Sequence, residues 1–230
     1  MERQKRKLTK DLLIITLKMF PDEILKDLLY DRAPLPGMPQ VISLPDEGMV
    51  ILDSPEKIKK AITFKLNQLD KAGSVHEIFY WITKPNRLQI LQFVTGIYEM
   101  EKEEYSKILK DIWMATEFPH QMPIPKLVDM FNQTEAHLLM SEDEMCIYTN
   151  LPETVTVFRG VQDKKAKLRG LSWTTEYEVA EWFANRWQRG KLYQAEIKKK
   201  HIFMFTNGRS EHECVVNPRY LKNVRQIYSL

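Results

Sequence analysis

Thr154-Val155-Thr156-Val157-Phe158-Arg159-Gly160, then Leu171-Ser172-Trp173-Thr174, then Glu211-His212-Glu213-Cys214-Val215-Val216: these three runs decide how the chain reads. The first is β-branched and aromatic, which predicts a strand delivering Arg159 and Gly160 at its end. Leu171 to Thr174 predicts a second, short strand. Glu211 to Val216 predicts a final core strand, entered through the turn signal Asn207-Gly208 and closed by Asn217-Pro218. Between them, Thr175 with Glu178 suggests a capping box for an amphipathic helix with Val179, Trp182, Phe183 and Trp187 inward. Lys191 to Ile197 alternates as a strand, and His201 to Phe205 suggests another.

Strand alternation puts Glu211, Glu213 and Val215 on one face, with the two carboxylates roughly 7 Å apart. Like charges that close raise the proton affinity of one of them, which suits a pair with divided roles: one anion stabilising a developing cation, one group taking a proton. Breaking a glycosidic bond passes through an oxocarbenium-like state and uses such carboxylates. The Arg159 guanidinium is a natural phosphate ligand, and Gly160 beside it lets a ligand approach the backbone. Ser172 and Thr174 present two hydroxyls on one strand face, able to hold a ribose or orient a carboxylate. Singly, each of these has a plainer reading: a surface arginine, cross-strand hydroxyls, an exposed Glu-x-Glu edge.

In combination and order they resemble the arginine-specific (Arg-Ser-Glu) branch of the mono-ADP-ribosyltransferases, with bacterial and bacteriophage members the most similar in their Gly-Leu-Ser-Trp-Thr stretch. The residues carrying the resemblance are Arg159, Ser172-Trp173-Thr174, Ala180-Glu181-Trp182-Phe183-Ala184 and Glu211-His212-Glu213. It implies an α+β fold, a helical N-terminal portion followed by a mixed or antiparallel β-sandwich core of the ADP-ribosyltransferase type. It also implies NAD as substrate, no metal, and transfer of ADP-ribose to an acceptor macromolecule, protein arginine first. By that resemblance Glu213 is the catalytic carboxylate and Glu211 orients and deprotonates the acceptor. Arg159 holds the NAD phosphates, Gly160 meets the nicotinamide amide through its backbone, and Ser172, with Thr174 beside it, positions Glu213 and the ribose. The segment Phe205 to Ser210 is the acceptor-recognising turn, with Phe205 a contact.

Two positions depart from the family pattern. Trp173 replaces a small residue and is expected in the core. Arg209 adds a cation beside the carboxylates, either for an acceptor phosphate or to screen their repulsion, so NAD hydrolysis and transfer to nucleic acid stay open as alternatives. A non-catalytic interaction module that keeps the fold is the reading from another class.

Outward from this region the chain reads as helical. Residues 1–54 are expected to form an N-terminal helical extension and linker, and 55–230 the catalytic domain, with helices over 55–150 and the β-rich core over 151–230. Leu8, Leu12, Ile15 and Met19 keep helical spacing behind a basic start, and Pro21 restarts the pattern before Ile24 to Leu29. The start is expected to be a solvated helix packed on the domain rather than a membrane-surface helix, because no aromatic interleaves its charges. Pro34, Pro36, Pro39 and Pro45 with Gly37 and Gly48 surround Val41-Ile42 and Val50-Ile51-Leu52, which predicts a linker or small hairpin. Ser54-Pro55 supplies a cap and first-turn proline for a helix with Ile58, Ala61, Ile62, Leu66 and Leu69 on one face. A helix over Val75 to Ile82 stops at Lys84-Pro85-Asn86. The next, about 87 to 99, is apolar nearly all round and is expected to be deeply buried. In the one after it Tyr105, Ile108, Leu109, Ile112 and Trp113 share a face, and a short helix with Leu127, Val128 and Phe131 follows. Ser141 with Glu144 makes a capping box for a helix through Tyr148.

With 43% hydrophobic residues in 230, the chain can bury a core and is not a disordered one. A net charge of +3 from 34 basic and 31 acidic side chains gives no general pull towards a polyanion. No apolar run approaches the roughly 20 residues a bilayer crossing needs, no signal-peptide pattern is present, and Cys146 and Cys214 lack metal or redox spacing. A cytoplasmic protein with reduced thiols is expected. His76 and His137 are expected to be ordinary core or surface residues.

Overall fold

The computed structural model describes residues 5–31, 38–116, 122–162, 168–186 and 190–229. The chain is α+β with antiparallel sheets, and it forms two compact units. One comprises Met1–Glu104 with Asp111–Glu117, the other Tyr105–Lys110 with Phe118–Leu230. The expected boundary at residue 54 is therefore not where the units divide. The helix Pro55–Leu69 packs against the helix Asp22–Leu29 and the strand Val41–Leu44 inside the first unit, so residues 1–54 are not an appendage.

In the first unit, α1 (Lys10–Lys18) is capped by Thr9, whose hydroxyl accepts from Leu12 N. Its buried side is Leu13, Ile14 and Leu17, with Ile15 54% and Met19 79% exposed, which corrects the face expected from Leu12, Ile15 and Met19. The helix is turned by partners remote in sequence. Leu8 N donates to Glu99 O at 2.7 Å, Glu99 N donates to Arg6 O at 2.8 Å, and the Thr16 hydroxyl meets Tyr98 Oη at 3.0 Å. The packed, solvated helix is thus what the structure contains.

After α2 (Asp22–Leu29), strands β1 (Val41–Leu44) and β2 (Gly48–Ile51) form an antiparallel hairpin. Gly48 at φ 69° supplies the left-handed position of its turn. Pro34, Pro36 and Gly37 lie outside the described residues. Helix α3 (Pro55–Leu69) starts on the Ser54 cap as read from the sequence, and Ile58, Ala61, Ile62 and Leu69 are buried. Helix α4 (Val75–Trp81) and a 3-10 turn at Lys84–Asn86 lead to α5 (Arg87–Ile97). Phe93 and Ile97 are nearly half exposed, so α5 is not buried all round; its core side is Leu88, Ile90, Leu91 and Val94. In α6 (Lys102–Ala115) all five residues of the expected face are buried.

The second unit adds α7 (Ile124–Asn132), the short α8 (Ala136–Leu139), which the sequence reading left unassigned, and α9 (Glu142–Asn150). The Ser141–Glu144 capping box is present in both directions. Glu144 reaches further than its helix. It accepts from Lys110 Nζ at 2.5 Å, from the Thr206 hydroxyl at 2.7 Å and from Ser141 N at 2.9 Å. Burial pushes its pKa up, but the hydrogen bonds from Lys110, Ser141 and Thr206 outweigh that and hold it down at about 2. A carboxylate whose folded pKa lies below its unfolded value stabilises the fold above the unfolded pKa. That contribution is lost as pH falls from about 4.5 towards about 2. Glu144→Ala leaves Lys110 and Thr206 without this partner and is expected to cost about 2 kcal/mol at pH 7. Urea melts at pH 7 and pH 3 check this, since the difference between variant and wild type shrinks at the lower pH.

Six strands form one antiparallel sheet in the order β6-β7-β4-β3-β5-β8: β3 (Thr154–Val161), β4 (Ser172–Thr174), β5 (Lys191–Lys198), β6 (Ile202–Thr206), β7 (Glu213–Val216) and β8 (Lys222–Ser229). Two packed sheets were expected. The described residues instead form two three-stranded halves joined edge to edge through the single β3–β4 pair Phe158↔Thr174. Strand β8 was not read from the sequence. It is an edge strand with polar residues at Lys222, Asn223, Arg225 and Gln226, and it pairs β5 through two register shifts, so its alternation is blurred. Helix α10 (Tyr177–Asn185) lies against β3. Its buried residues are Ala180 and Ala184, Trp182 is 56% exposed rather than inward, and Trp187 lies outside the described residues. Thr175 does not cap it; the residue before the helix is Glu176, whose N–H donates to the Thr174 hydroxyl.

Candidate active site

The strand order β7-β4-β3 brings Glu213, Ser172 and Arg159, far apart in sequence, onto three adjacent strands. Thr174 sits opposite Glu213 on one side and Phe158 on the other, so Arg159 is one residue beyond the β3–β4 pairing point. Its Nη1 donates to the Ser172 carbonyl oxygen, and its Nε is enclosed without a hydrogen-bond partner. Burial lowers the guanidinium pKa to about 10, opposed by the negative charge of Glu213. Arg159 therefore remains a cation at neutral pH and lies within electrostatic reach of the carboxylate.

Gly170 makes room for this placement, because a Cβ there would stand 2.7 Å from Arg159 Nη2. Trp173 lies in the core at 2% exposure and its indole N–H donates to Gly170 O at 3.0 Å, which pins the loop against the guanidinium. The expectation of core packing for Trp173 holds.

Glu213 is buried at 5% exposure and opens β7, whose four residues are all buried. Its charge, after burial itself, helps raise the neighbouring Cys214 thiol to about 12, so that thiol stays protonated. The strand does not extend back to Glu211. His212 has φ 45° and Ser210 φ 56°, so the backbone reverses hand between the two glutamates and the same-face argument from alternation does not apply. Glu211 is instead a loop residue, half-buried, with its Oε2 3.2 Å from Arg209 Nη2. Of the two roles open to Arg209, pairing with the carboxylate is the one this arrangement contains.

The left-handed residues are held by specific partners. Asn207 Oδ1 accepts from His212 N at 3.3 Å, Ser210 N closes the Asn207 turn at 2.9 Å, and the His212 carbonyl accepts from Thr175 N at 3.2 Å. The His212 Nδ1 lies 3.6 Å from Glu176 Oε1. Thr174, expected to touch NAD, spends its hydroxyl elsewhere: it donates to Glu211 O at 2.7 Å and accepts from Glu176 N at 3.0 Å. It is a brace for the glutamate loop. Phe205 is 1% exposed inside β6 and cannot contact an acceptor, which corrects its expected role; the turn starts two residues later.

Gly160 also has a different reason to be glycine. A Cβ there would lie 2.2 Å from Ala180 O and 2.5 Å from Ala184 N, so the missing side chain lets α10 rest directly on β3. The turn signal Asn207-Gly208 was legible, but Asn207 as a brace, Gly170 as the floor under Arg159 and the Glu176–His212 pair were not, since none carries a local pattern of its own.

Among the described residues no group of three or more His, Cys, Asp or Glu side chains could hold a metal ion, and no helix is long and apolar enough to cross a membrane. His76 is not an isolated core residue: its Nε2 lies 2.8 Å from Asp111 Oδ2 beside Tyr80 and Arg87 in the first unit. His137 is an exposed helix residue near Glu135. Comparison with protein-family models, with curated proteins and with solved structures gives no match to this chain.

Proposed function

We propose that the second unit cleaves NAD at the nicotinamide–ribose bond and transfers ADP-ribose to an acceptor, protein arginine first. The observation that carries the reading is the grouping of Arg159, Ser172 and Glu213 on β3, β4 and β7, with a buried carboxylate and a half-buried cation sensing each other. In this reading Glu213 stabilises the oxocarbenium-like cation that forms as nicotinamide leaves, and its burial makes that charge effective. Arg159 supplies positive charge that attracts the phosphates, its Nη1 being held by the Ser172 carbonyl. Ser172 stands between them. No metal takes part in any step proposed.

Glu211 serves the acceptor. Its carboxylate sits on a loop rather than on the strand, so its position depends on Arg209, Asn207 and Thr174, and an arginine acceptor would compete with Arg209 for it. This pairing also favours a second reading, in which water is the acceptor and NAD is hydrolysed.

The test is nicotinamide release from NAD by the full chain, with and without agmatine as an arginine-like acceptor. Release that rises with agmatine supports transfer, release indifferent to it supports hydrolysis, and no release by folded protein sinks both. Glu211→Gln is expected to lose transfer to agmatine at least about tenfold while NAD hydrolysis persists, as expected for a group acting on the acceptor proton. Equal loss of both activities would remove the acceptor role.

A further inference from the structure

The corner of the sheet where β5 ends and β8 begins collects positive charge. The 3-10 turn Lys199–His201 follows β5, and the turn Pro218–Tyr220 precedes β8. The rings of His201 and Tyr220 stack at 3.7 Å and 4°, and Asn217 N donates to His201 O at 2.9 Å, so the two turns are joined. Lys200 and Arg219 flank that stack in sequence. Lys222 sits across from Glu196, two residues before Lys198 on the same strand face, which brings Lys198 and Lys222 to the same corner.

Lys198, Lys200, Arg219 and Lys222 are all exposed, and none makes an ion pair among the described residues. The lysine charges are felt locally: burial lowers the pKa of His201, and Lys200 and Lys198 lower it further. Two carboxylates stand near: Glu196, opposite Lys222 and accepting from Asn223 Nδ2 at 2.8 Å, and Glu153, whose backbone oxygen accepts from Lys199 N. The chain as a whole carries only +3, so four cations outside any ion pair in one corner, more than the carboxylates beside them, are a local concentration and not a property of the average surface.

We propose that this corner binds single-stranded nucleic acid, with the four cations on successive phosphates and a base stacked on the Tyr220 ring. Cations alone would suit any polyanion. The choice of nucleic acid rests on Tyr220, 42% exposed and backed flat by His201, which offers a rigid aromatic platform of the kind that bases stack on. The site is separate from the residues proposed to cleave NAD, and it stands or falls independently of that reaction.

The test is fluorescence anisotropy of a labelled oligouridylate and of an oligothymidylate, each about 20 nucleotides long, titrated with the full chain in the absence of NAD. Binding should weaken with salt along a log–log slope near −3, about −0.7 for each of four phosphates neutralised. Lys198→Glu/Lys200→Glu/Lys222→Glu should lower affinity at least about tenfold and flatten the slope. Tyr220→Ala should lower affinity about fivefold or more with the slope unchanged, because it removes stacking and no charge. Lys222→Ser is the milder variant should the triple substitution fail to fold. The proposal is overturned by the absence of binding at 50 mM salt, by binding that neither Tyr220→Ala nor the lysine variants alter, or by polyglutamate competing as strongly as the oligonucleotide. The last result would assign the corner to an acidic protein instead.

Discussion

If the second unit cleaves NAD as proposed, Glu213→Gln is expected to lower nicotinamide release about 100-fold or more while NAD binding persists. The substitution keeps size and hydrogen-bonding shape in a site that is 5% exposed and removes only the negative charge. Charge matters most where it is developing, so the loss falls on turnover, and a ground state that carries no full cation at the ribose is affected less. A second consequence would follow from the ion pair itself, whether or not it is catalytic. Arg159 is a half-buried cation whose charge is supported by Glu213; without the anion it is left uncompensated, and the variant also loses stability, on the order of 1 kcal/mol. Glu213→Asp retains the charge and is the comparison to make. Recovery of stability without recovery of nicotinamide release is the outcome expected if the carboxylate must stand at a set distance from the ribose. Release unchanged in a folded Glu213→Gln protein would end the proposal of NAD cleavage at this site.

Gly160→Ala destabilises the second unit by about 3 kcal/mol or more. The added carbon would stand 2.2 Å from a backbone oxygen and 2.5 Å from a backbone nitrogen of α10, and neither can swing aside as a side-chain tip would. The helix must lift from β3 as a body, and it would do so where Gly190 makes a second close approach, its own Cβ position lying 2.1 Å from Ala184 O. Gly96→Ala in α5 is the control, since nothing lies within 4 Å of the added carbon and a helical alanine is favoured by up to about 1 kcal/mol. Urea denaturation of the two variants measures both. If Gly160→Ala melts like wild type and only NAD binding suffers, the glycine serves a ligand and the packing account is wrong.

The difference between these two glycines illustrates what a single chain discloses. Gly160 follows an arginine at a strand end, and from sequence that looks like room for a ligand; what it makes room for is the backbone of α10 at Ala180 and Ala184, unreadable as a neighbour from sequence. Phe205 and Thr174 repeat the lesson. Each lies within the expected motif region, yet the first is enclosed in β6 and the second has both its hydrogen bonds committed to the Glu211 and Glu176 backbone. Motif spacing places residues in the right neighbourhood, but it does not say which atoms are already in use.

The sequence by itself determined the α+β class, the helix starts at Ser54 and Ser141, the buried face of α6, the core position of Trp173, and the strands that carry Arg159, Ser172 and Glu213. All of these follow from local rules: side-chain periodicity, capping and turn chemistry act over a few residues and survive whatever packs around them. Only the tertiary structure decided the strand order that brings Arg159 within electrostatic reach of Glu213, the boundary between the two units, the buried side of α1, the edge strand β8, and the left-handed backbone at His212 that takes Glu211 off the strand. Those depend on partners distant in the chain. Glu99 turns α1 and Asn207 and Thr175 hold His212, and a free energy supplied from elsewhere in the fold leaves no mark in the local pattern.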